Sequence, residues 1–372
     1  MPGLVVAHID AERTFSGGEV QVLLLIEALA RRGHGNVLLC PPGSALAGAA
    51  AERGVATGAV AMRSDLDLSA LWRLVSSLRR LRPAVVHLHT GRAAWLGGWA
   101  ASWVGLPAVV TRRMDRAVRR GPRTRLIYER WTQGTAAISA HVAAQLAAAG
   151  VPAPRIALIP DAVDPARVRA LRGRAAVRTA VGATDADVVL FSAARLVHRK
   201  GLDVLLDALA RLAGEGVRPL VWIAGEGPQR DALMAQASRR GLAAQVQWLG
   251  QRDDIGDLLA GCDAFVLTPR AEGLGVAALE AMAAGRAVVA SAAGGLRDAV
   301  ADEQTGLLVP AGDAVALAMA LRRIVREPAL RQRLGAAGPA QVAARFHPAA
   351  MADAYERLYA AAIAAHGARG IV

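Results

Sequence analysis

Short apolar runs and stretches of helical periodicity alternate along this chain, once on each side of Asp161-Ala162-Val163-Asp164-Pro165. Before that point Leu4 to Ala7, Val37 to Cys40, Pro83 to Val86, Thr135 to Ser139 and Arg155 to Pro160 read as strands. After it the pattern restarts with Val188 to Ser192, Leu220 to Ala224, Val246 to Leu249, Ala264 to Thr268 and Ala287 to Ser291. Helical spacing fills the intervals, as in Val22, Leu23, Ile26, Leu29 and Ala30. Strand followed by helix, repeated, implies parallel sheets, because parallel neighbours need a crossover connection. Strands that are apolar throughout imply sheets covered on both faces. The chain is therefore expected to be α/β, with two doubly wound halves joined by the Asp161–Pro165 linker. A hairpin-like turn is expected at Gln304 to Val309, then helices over Ala314–Arg326, Ala329–Arg345 and Ala350–Ala365. At 372 residues, two cores are a better expectation than one.

Composition narrows the classes. Hydrophobic content of 54% with 20% charged residues fits folded cores. Cys40 and Cys262 are the only cysteines, which supports neither a disulfide framework nor a cysteine zinc site and fits a reducing cytoplasm. The start, MPGLVVAHIDAER, has no basic segment before a long apolar one, so a first strand is expected there and not a signal peptide. The run from Ala93 to Thr111 is uncharged and long enough to raise a membrane span, but Gly97, Gly98, Gly105 and Pro107 divide it. A helix near 92–104 and a strand near 108–111 are expected instead. Net charge is +13, and of the 44 basic side chains only Lys200 is lysine. That excess favours anionic partners.

Several places can carry chemistry. In Ala264 to Gly285 a strand feeds a glycine-rich helix start at Gly273 to Gly275, with Glu272 at its mouth and Glu280 two turns in. Free N–H groups and the helix dipole at such a start suit a phosphate, and carboxylates accept hydrogen bonds from sugar hydroxyls. The plain alternative is a surface helix with two exposed glutamates. Gly17-Gly18 after the first strand is a candidate anion or substrate loop, but it lacks the GxGxxG pattern of dinucleotide binding. Asp65 and Asp67 form a DxD triplet that reads better as a helix start than as a metal site. His87 and His89 end a strand and point to one side, either as cleft chemistry or as wall. Trp95, Trp99 and Trp103 share one helical face, as core or as an interfacial anchor. Arg112 to Arg130 holds eight arginines against Asp115 and Glu129. The plain reading is a solvated basic loop, and a surface at Arg112–Arg125 for anionic lipid headgroups or for a phosphorylated acceptor fits at least as well; without a nucleic-acid module or aromatic interleaving, nucleic acid is less favoured.

The motifs fall in a recognisable order. Arg195, Lys200-Gly201, Gly225-x-Gly-Pro, Leu249-Gly250-x-Arg252, Glu272 to Glu280-Ala-Met-Ala-x-Gly285, Gly294-Gly295 and Thr305-Gly306-Leu-Leu-Val-Pro310 follow one another. Gly17-Gly18-x-Glu, Arg32-Gly33-His34, His87-Leu-His89 and Ile159-Pro-x-x-Val-Asp164 precede them. Together these motifs resemble the family 4 glycosyltransferases of the GT-B fold over nearly the whole chain. The resemblance implies two Rossmann-like parallel-sheet domains facing across a cleft. Residues 1–163 would bind acceptor, 164–345 would bind the nucleotide-sugar donor, and 346–372 would form a helix packed back on the first domain.

The resemblance also implies roles. Arg195 and Lys200 would clamp the donor diphosphate, Glu272 would hold the transferred sugar, and Glu280 would bind ribose. The N–H groups of Leu274, Gly275 and Val276 would lie near the phosphates, and the region of Gly227 and Arg252 would line the base pocket. Arg113 falls where many relatives carry a histidine, and a guanidinium there can bind an anion but cannot act as a base. His89 is then a weak catalytic candidate. Neither metal nor other cofactor is implied. The expected reaction moves a sugar from a nucleotide-sugar to a lipid-linked or envelope-saccharide acceptor, with retention, on the cytoplasmic side and peripherally at the membrane. A nucleotide-sugar epimerase on the same frame and a non-catalytic glycan or membrane scaffold are the alternatives.

Overall fold

The computed structural model describes residues 3–369, which form two compact units. Unit 1 comprises residues up to Ala162 together with those from Pro348, and unit 2 runs from Val163 to His347.

Unit 1 begins with β1 (Val5–Ile9), α1 (Gly17–Ala30), β2 (Gly35–Cys40), α2 (Ala45–Glu52) and β3 (Ala56–Ala59). It continues with α3 (Leu68–Leu81), β4 (Val85–Leu88), α4 (Gly91–Val104) and β5 (Ala108–Arg112). Then come α5 (Pro122–Arg125), a π-helical turn over Leu126–Trp131, β6 (Gly134–Ala137), α6 (Ala140–Ala148) and β7 (Ile156–Leu158). The sheet order is β3-β2-β1-β4-β5-β6-β7, with every pairing parallel. Ends are set by local chemistry. Ser16 and Glu19 form a capping box at α1, with Ser16 N–H donating to Glu19 at 2.7 Å. Asp67 accepts from the N–H of Ala70 at the start of α3, and its hydrogen bonds hold its carboxyl down at about 2. The Asp65–Asp67 triplet is thus a helix start.

Unit 2 runs α7 (Pro165–Val168), α8 (Arg174–Ala180), β8 (Val189–Ala193), α9 (Leu202–Gly214), β9 (Leu220–Ala224), α10 (Arg230–Arg239) and β10 (Val246–Gly250). It continues with α11 (Ile255–Gly261), β11 (Ala264–Leu267), α12 (Val276–Ala283), β12 (Ala287–Ser291), α13 (Leu296–Ala299) and β13 (Gly306–Val309). Helices α14 (Ala314–Arg326) and α15 (Pro328–Arg345) complete it. Its sheet, β10-β9-β8-β11-β12-β13, is again all parallel. The expected hairpin-like turn at Gln304 to Val309 is corrected: Gly306–Val309 is a parallel edge strand on β12. Gly306 sits under Val288, whose carbonyl oxygen would lie 2.4 Å from an added Cβ.

The last helix, α16 (Pro348–Arg369), belongs to unit 1. Met351, Tyr355, Leu358 and Tyr359 are buried in one cluster with Val6, Leu25, Val85, Val109 and Ala136. Full burial of such side chains is worth roughly 1.5–3 kcal/mol each. Arg32 and His34 tie this helix down through Glu356, at 2.9 and 2.7 Å.

Candidate functional site

In an open parallel sheet the ligand crevice lies beyond the carboxyl ends of the strands, where the strand order reverses. The two sheet orders put that point between β1 and β4 in unit 1 and between β8 and β11 in unit 2. Gly17, Gly18 and His89 follow β1 and β4, and Arg195, Lys200 and Glu272 follow β8 and β11, whereas Gly227 and Arg252 follow the neighbouring strands β9 and β10.

In unit 2 the loop after β8 is zipped to its neighbours by backbone hydrogen bonds. Ala194 N–H donates to Ala224 O at 3.0 Å, Leu196 N–H to Glu226 O at 2.9 Å, and Gln229 N–H to Leu196 O at 3.0 Å. Gly225 and Gly227 permit this approach, since an added Cβ would lie 1.9 Å from Ala194 O or 2.4 Å from Leu196 O. Gly227 is therefore required by loop packing whatever it also lines. Arg195, at the crest of the loop, is exposed.

The next turn carries Lys200. Gly201 takes φ 63°, where an added Cβ would meet Thr268 O at 2.0 Å. Thr268 Oγ1 donates to Gly201 O at 2.9 Å, and Arg270 N–H donates to Arg199 O at 2.9 Å. Arg270 grips Asp203 with two bonds of 2.7 and 2.6 Å. This stitching of the β8 and β11 loops brings Lys200 Nζ to Glu272 Oε2 at 2.5 Å, with both side chains mostly buried. Glu272 O also accepts from Gly295 N–H at 3.0 Å, so the Gly294-Gly295 loop buttresses the same glutamate. Sequence reading singled out both glycine pairs and the charged groups, but not the Arg270–Asp203 clamp.

Helix α12 starts at Val276, after Gly275 at φ 91°. The side chain of Leu274 is buried, so this segment can offer a ligand only its backbone. Glu280 is buried within α12 and bonded by Arg167 Nε at 2.7 Å. Burial pushes its carboxyl up, against the pull of the Arg167 guanidinium. Arg167 was not legible as a site residue, because only the fold brings α7 beside α12. Arg252 forks onto Asp254 at 2.8 and 2.5 Å, and Asp254 is shared with Arg172 at 2.5 Å. Arg252 is thus held at the start of α11 by an ion-pair network.

Unit 1 is different in kind. His8 and His87 are register neighbours on β1 and β4, and His89 follows β4, with its N–H donating to Ile9 O at 3.0 Å. Arg113 donates from Nε to Asp161 Oδ1 at 3.0 Å and from Nη1 to His89 Nδ1 at 3.2 Å. A guanidinium only donates, so every later proton is fixed. His89 carries its proton on Nε2 and donates to His8 Nδ1 at 3.0 Å, and His8 donates from Nε2 to Asn36 Oδ1 at 3.0 Å. His87 bonds Tyr359 OH and Thr111 Oγ1, each at 2.7 Å. Burial lowers His8 to about 4 and puts His87 and His89 well below the usual histidine range, helped by neighbouring positive groups. His89 therefore has no spare lone pair with which to take a proton, which argues for a structural place in this network over the catalytic one considered for it.

The three histidines lie close enough to share one ion, their ligand atoms falling within 4.8 Å of one another. All six of their ring nitrogens are already hydrogen-bonded, and Arg113 adds positive charge, so the donor set does not favour a cation. The Nη2 nitrogen of Arg113 is buried and has no hydrogen-bond partner among the described residues. Asp10 follows β1 and is also buried, and burial pushes its carboxyl up to about 7. Gly17 and Gly18 open α1, where an added Cβ at either would meet nothing within 4 Å.

Residues 15–167 match the family model described as Glycosyltransferase Family 4, and residues 174–341 match Glycosyl transferases group 1. The lipopolysaccharide core biosynthesis glycosyltransferase LpsE of Rhizobium meliloti is 38% identical over 47% of this chain and 50% of its own length. The chain thus spans about half of that relative, as it does of LpsD from the same organism. The 2-deoxystreptamine glucosyltransferase of Streptomyces kanamyceticus is 30% identical over 73% of this chain and 76% of its own length. Among solved structures, Anabaena HepE in complex with UDP-glucose superposes with a TM-score of 0.84 at 20% identity, covering 96% of this chain and all of that one. That likeness fixes the fold as GT-B. With both halves matched in order, the chain belongs to the family 4 glycosyltransferases.

Proposed function

We propose that this chain transfers a glycosyl group from a nucleotide-sugar to a hydroxyl of a lipid-linked or cell-envelope saccharide, with retention at the anomeric carbon. The observation that carries the reading is the Lys200–Glu272 pair, 2.5 Å apart at the β8/β11 switch point, with exposed Arg195 in the same loop after β8. Positive and negative groups held side by side at a crevice suit a ligand with an anionic diphosphate and a hydroxyl-rich sugar. In transfer the bond from the anomeric carbon to the diphosphate oxygen breaks as the bond to the acceptor oxygen forms on the same face, and the acceptor hydroxyl's proton passes to the departing diphosphate oxygen. Charge then grows on the departing diphosphate, where Arg195, Lys200 and the first N–H groups of α12 stabilise it. Glu272 orients the sugar and Glu280 the ribose. Side chains and helix dipole provide this compensation without a metal, so activity is expected to persist in a chelator. In unit 1, Arg113 and Asp10 are assigned to acceptor recognition. The lipopolysaccharide-core relatives support an envelope saccharide as acceptor, while the 2-deoxystreptamine glucosyltransferase keeps 2-deoxystreptamine in the screen.

A panel of nucleotide-sugars, offered with and without envelope glycolipid and read by mass spectrometry, tests the proposal. Glycosylated acceptor and free nucleotide are expected from one donor class. A new nucleotide-sugar formed without acceptor would identify an epimerase instead.

A further inference from the structure

Five of the seven tryptophans, Trp72, Trp95, Trp99, Trp103 and Trp131, lie on α3, α4 and the π-helical turn of unit 1. Trp95 and Trp99 pack on Trp131, with ring centroids 5.1 and 6.3 Å away. Trp103 instead meets Trp72 at 5.2 Å, and the two rings stay 48% and 57% exposed. Leu66 and Leu68 continue the apolar surface at the start of α3, at 84% and 59% exposure. Leu68 and Trp72 are one turn apart and share a flank of α3 with exposed Arg79. The buried flank is Leu71, Leu74, Val75 and Leu78, which satisfies the fold without the exposed set. A cluster of large apolar side chains left in water marks an interaction surface.

Its rim says what it meets. Trp95 donates from its indole to Asp65 O at 2.9 Å, and the Asp65 carboxylate takes Arg123 at 2.6 Å and Arg92 at 3.9 Å. Arg123 also lies over the Trp95 ring at 4.8 Å. The loop that presents Leu66 is therefore pinned. Asp67 is occupied as a helix cap, while Arg63, Arg73, Arg79 and Arg80 are exposed. The long basic segment expected to face a membrane contributes only in part. Arg113 is buried on Asp161, Arg112 donates to Arg116 O, and Arg123 is paired with Asp65. Among the described residues no helix is long and apolar enough to cross a membrane.

We propose that Leu66, Leu68, Trp72 and Trp103 form an interfacial anchor that seats unit 1 on an anionic phospholipid surface, with the surrounding arginines on headgroup phosphates. Indole rings favour the headgroup level, where an apolar body meets lipid and a polar edge meets water. Each nearby arginine adds attraction to an anionic leaflet. Neither contribution alone holds a protein; stable anchoring takes both. The net-positive rim, in which Asp65 and Asp67 are already bonded, selects anionic phospholipid over a protein partner, which would have to bring matching acids.

Sedimentation of the full chain with phosphatidylglycerol–phosphatidylcholine vesicles, against pure phosphatidylcholine vesicles, tests this. Binding is expected to the anionic vesicles, to weaken as salt rises, and to fall about tenfold or more in Trp72→Ala/Trp103→Ala. Tryptophan emission should be quenched by brominated acyl chains in the native chain and much less in that variant. Arg73→Glu/Arg79→Glu should reduce binding with both rings intact. Equal binding to neutral vesicles, or unchanged binding in the tryptophan variant, would overturn the proposal. So would a tryptophan variant whose only change is a smaller mass in light scattering, which would make the patch a contact between copies. Vesicle binding is read without donor or acceptor, so it stands or falls separately from the transfer assay.

Discussion

The crevices of the two units occupy equivalent places in equivalent sheets, yet they are built from opposite materials. At β8/β11 the groups are charged, partly accessible and carried on loops that glycines let pack closely. At β1/β4 they are buried, and the histidines are neutral and saturated with hydrogen bonds, one chain running from Arg113 through His89 and His8 to Asn36 and a separate set joining His87 to Tyr359 and Thr111. A ligand can enter the first by exchanging an ion pair for its own charges. The second must keep its network to keep its fold, because a buried polar group left without its partner costs about 1–3 kcal/mol. Substitutions should therefore separate activity from stability along the line between the units.

The largest expected effect is on activity in unit 2. Lys200→Ala and Glu272→Ala should each lower kcat/KM by about 10²–10³-fold, the loss typical of a removed charge-stabilising group. Melting temperature should move by only a few degrees, and a melting loss matching the loss of rate would erase the contrast between the crevices. The largest expected effect on stability is in unit 1. Arg113→Ala strips a buried carboxylate and His89 of their donor and should cost about 3–5 kcal/mol in urea unfolding. Arg113→Lys should restore only part of this, since one ammonium cannot reproduce both bonds.

pH sharpens the same comparison. His8, His87 and His89 have lowered values in the fold, so the unfolded chain binds protons that the folded one refuses. Their contribution is present above the ordinary histidine value of 6.5 and is lost as pH falls toward the folded values, about 4 for His8. Asp10 acts the other way: its carboxyl is raised from 3.8 to about 7, so its contribution declines as pH rises through that window. Asp161 and Glu280, also raised by burial, act in the same sense as Asp10, and the three histidines should still leave stability rising between pH 5 and pH 7. Asp10→Asn should make that rise steeper, and an unchanged slope would remove Asp10 from the network. The smallest expected effect is Asp67→Ala, which removes the α3 cap and should cost about 1 kcal/mol without touching turnover.

Much of unit 2 was legible because its site is local. Lys200-Gly201, Glu272 and Gly294-Gly295 each follow a strand directly, and their glycines mark close approaches of one loop to the next. What escaped was either featureless or remote. Helix α2 is Ala-rich without a clear periodicity, and β3 is a largely exposed edge strand, so neither carries a hydrophobic pattern. Strand β13 looked like a turn because Thr305-Gly306 reads as a bend until β12 is placed beside it. Arg167 on Glu280 and the Arg113–His89–His8 chain join residues far apart in sequence, and no spacing rule reaches that far. His8 did carry a hint, as a histidine inside an apolar strand, but its partners were invisible. The tryptophan stripe resolved into two roles, with Trp95 and Trp99 packed on Trp131 and Trp103 left outward against Trp72.

Calorimetric titration of nucleotide-sugars into the native chain, Lys200→Ala and Arg113→Lys would show which crevice holds the donor. Binding of one donor class that is lost in Lys200→Ala and kept in folded Arg113→Lys is the expected result. Donor binding that survives Lys200→Ala and disappears with Arg113→Lys would place the nucleotide-sugar in unit 1 and contradict the assignment.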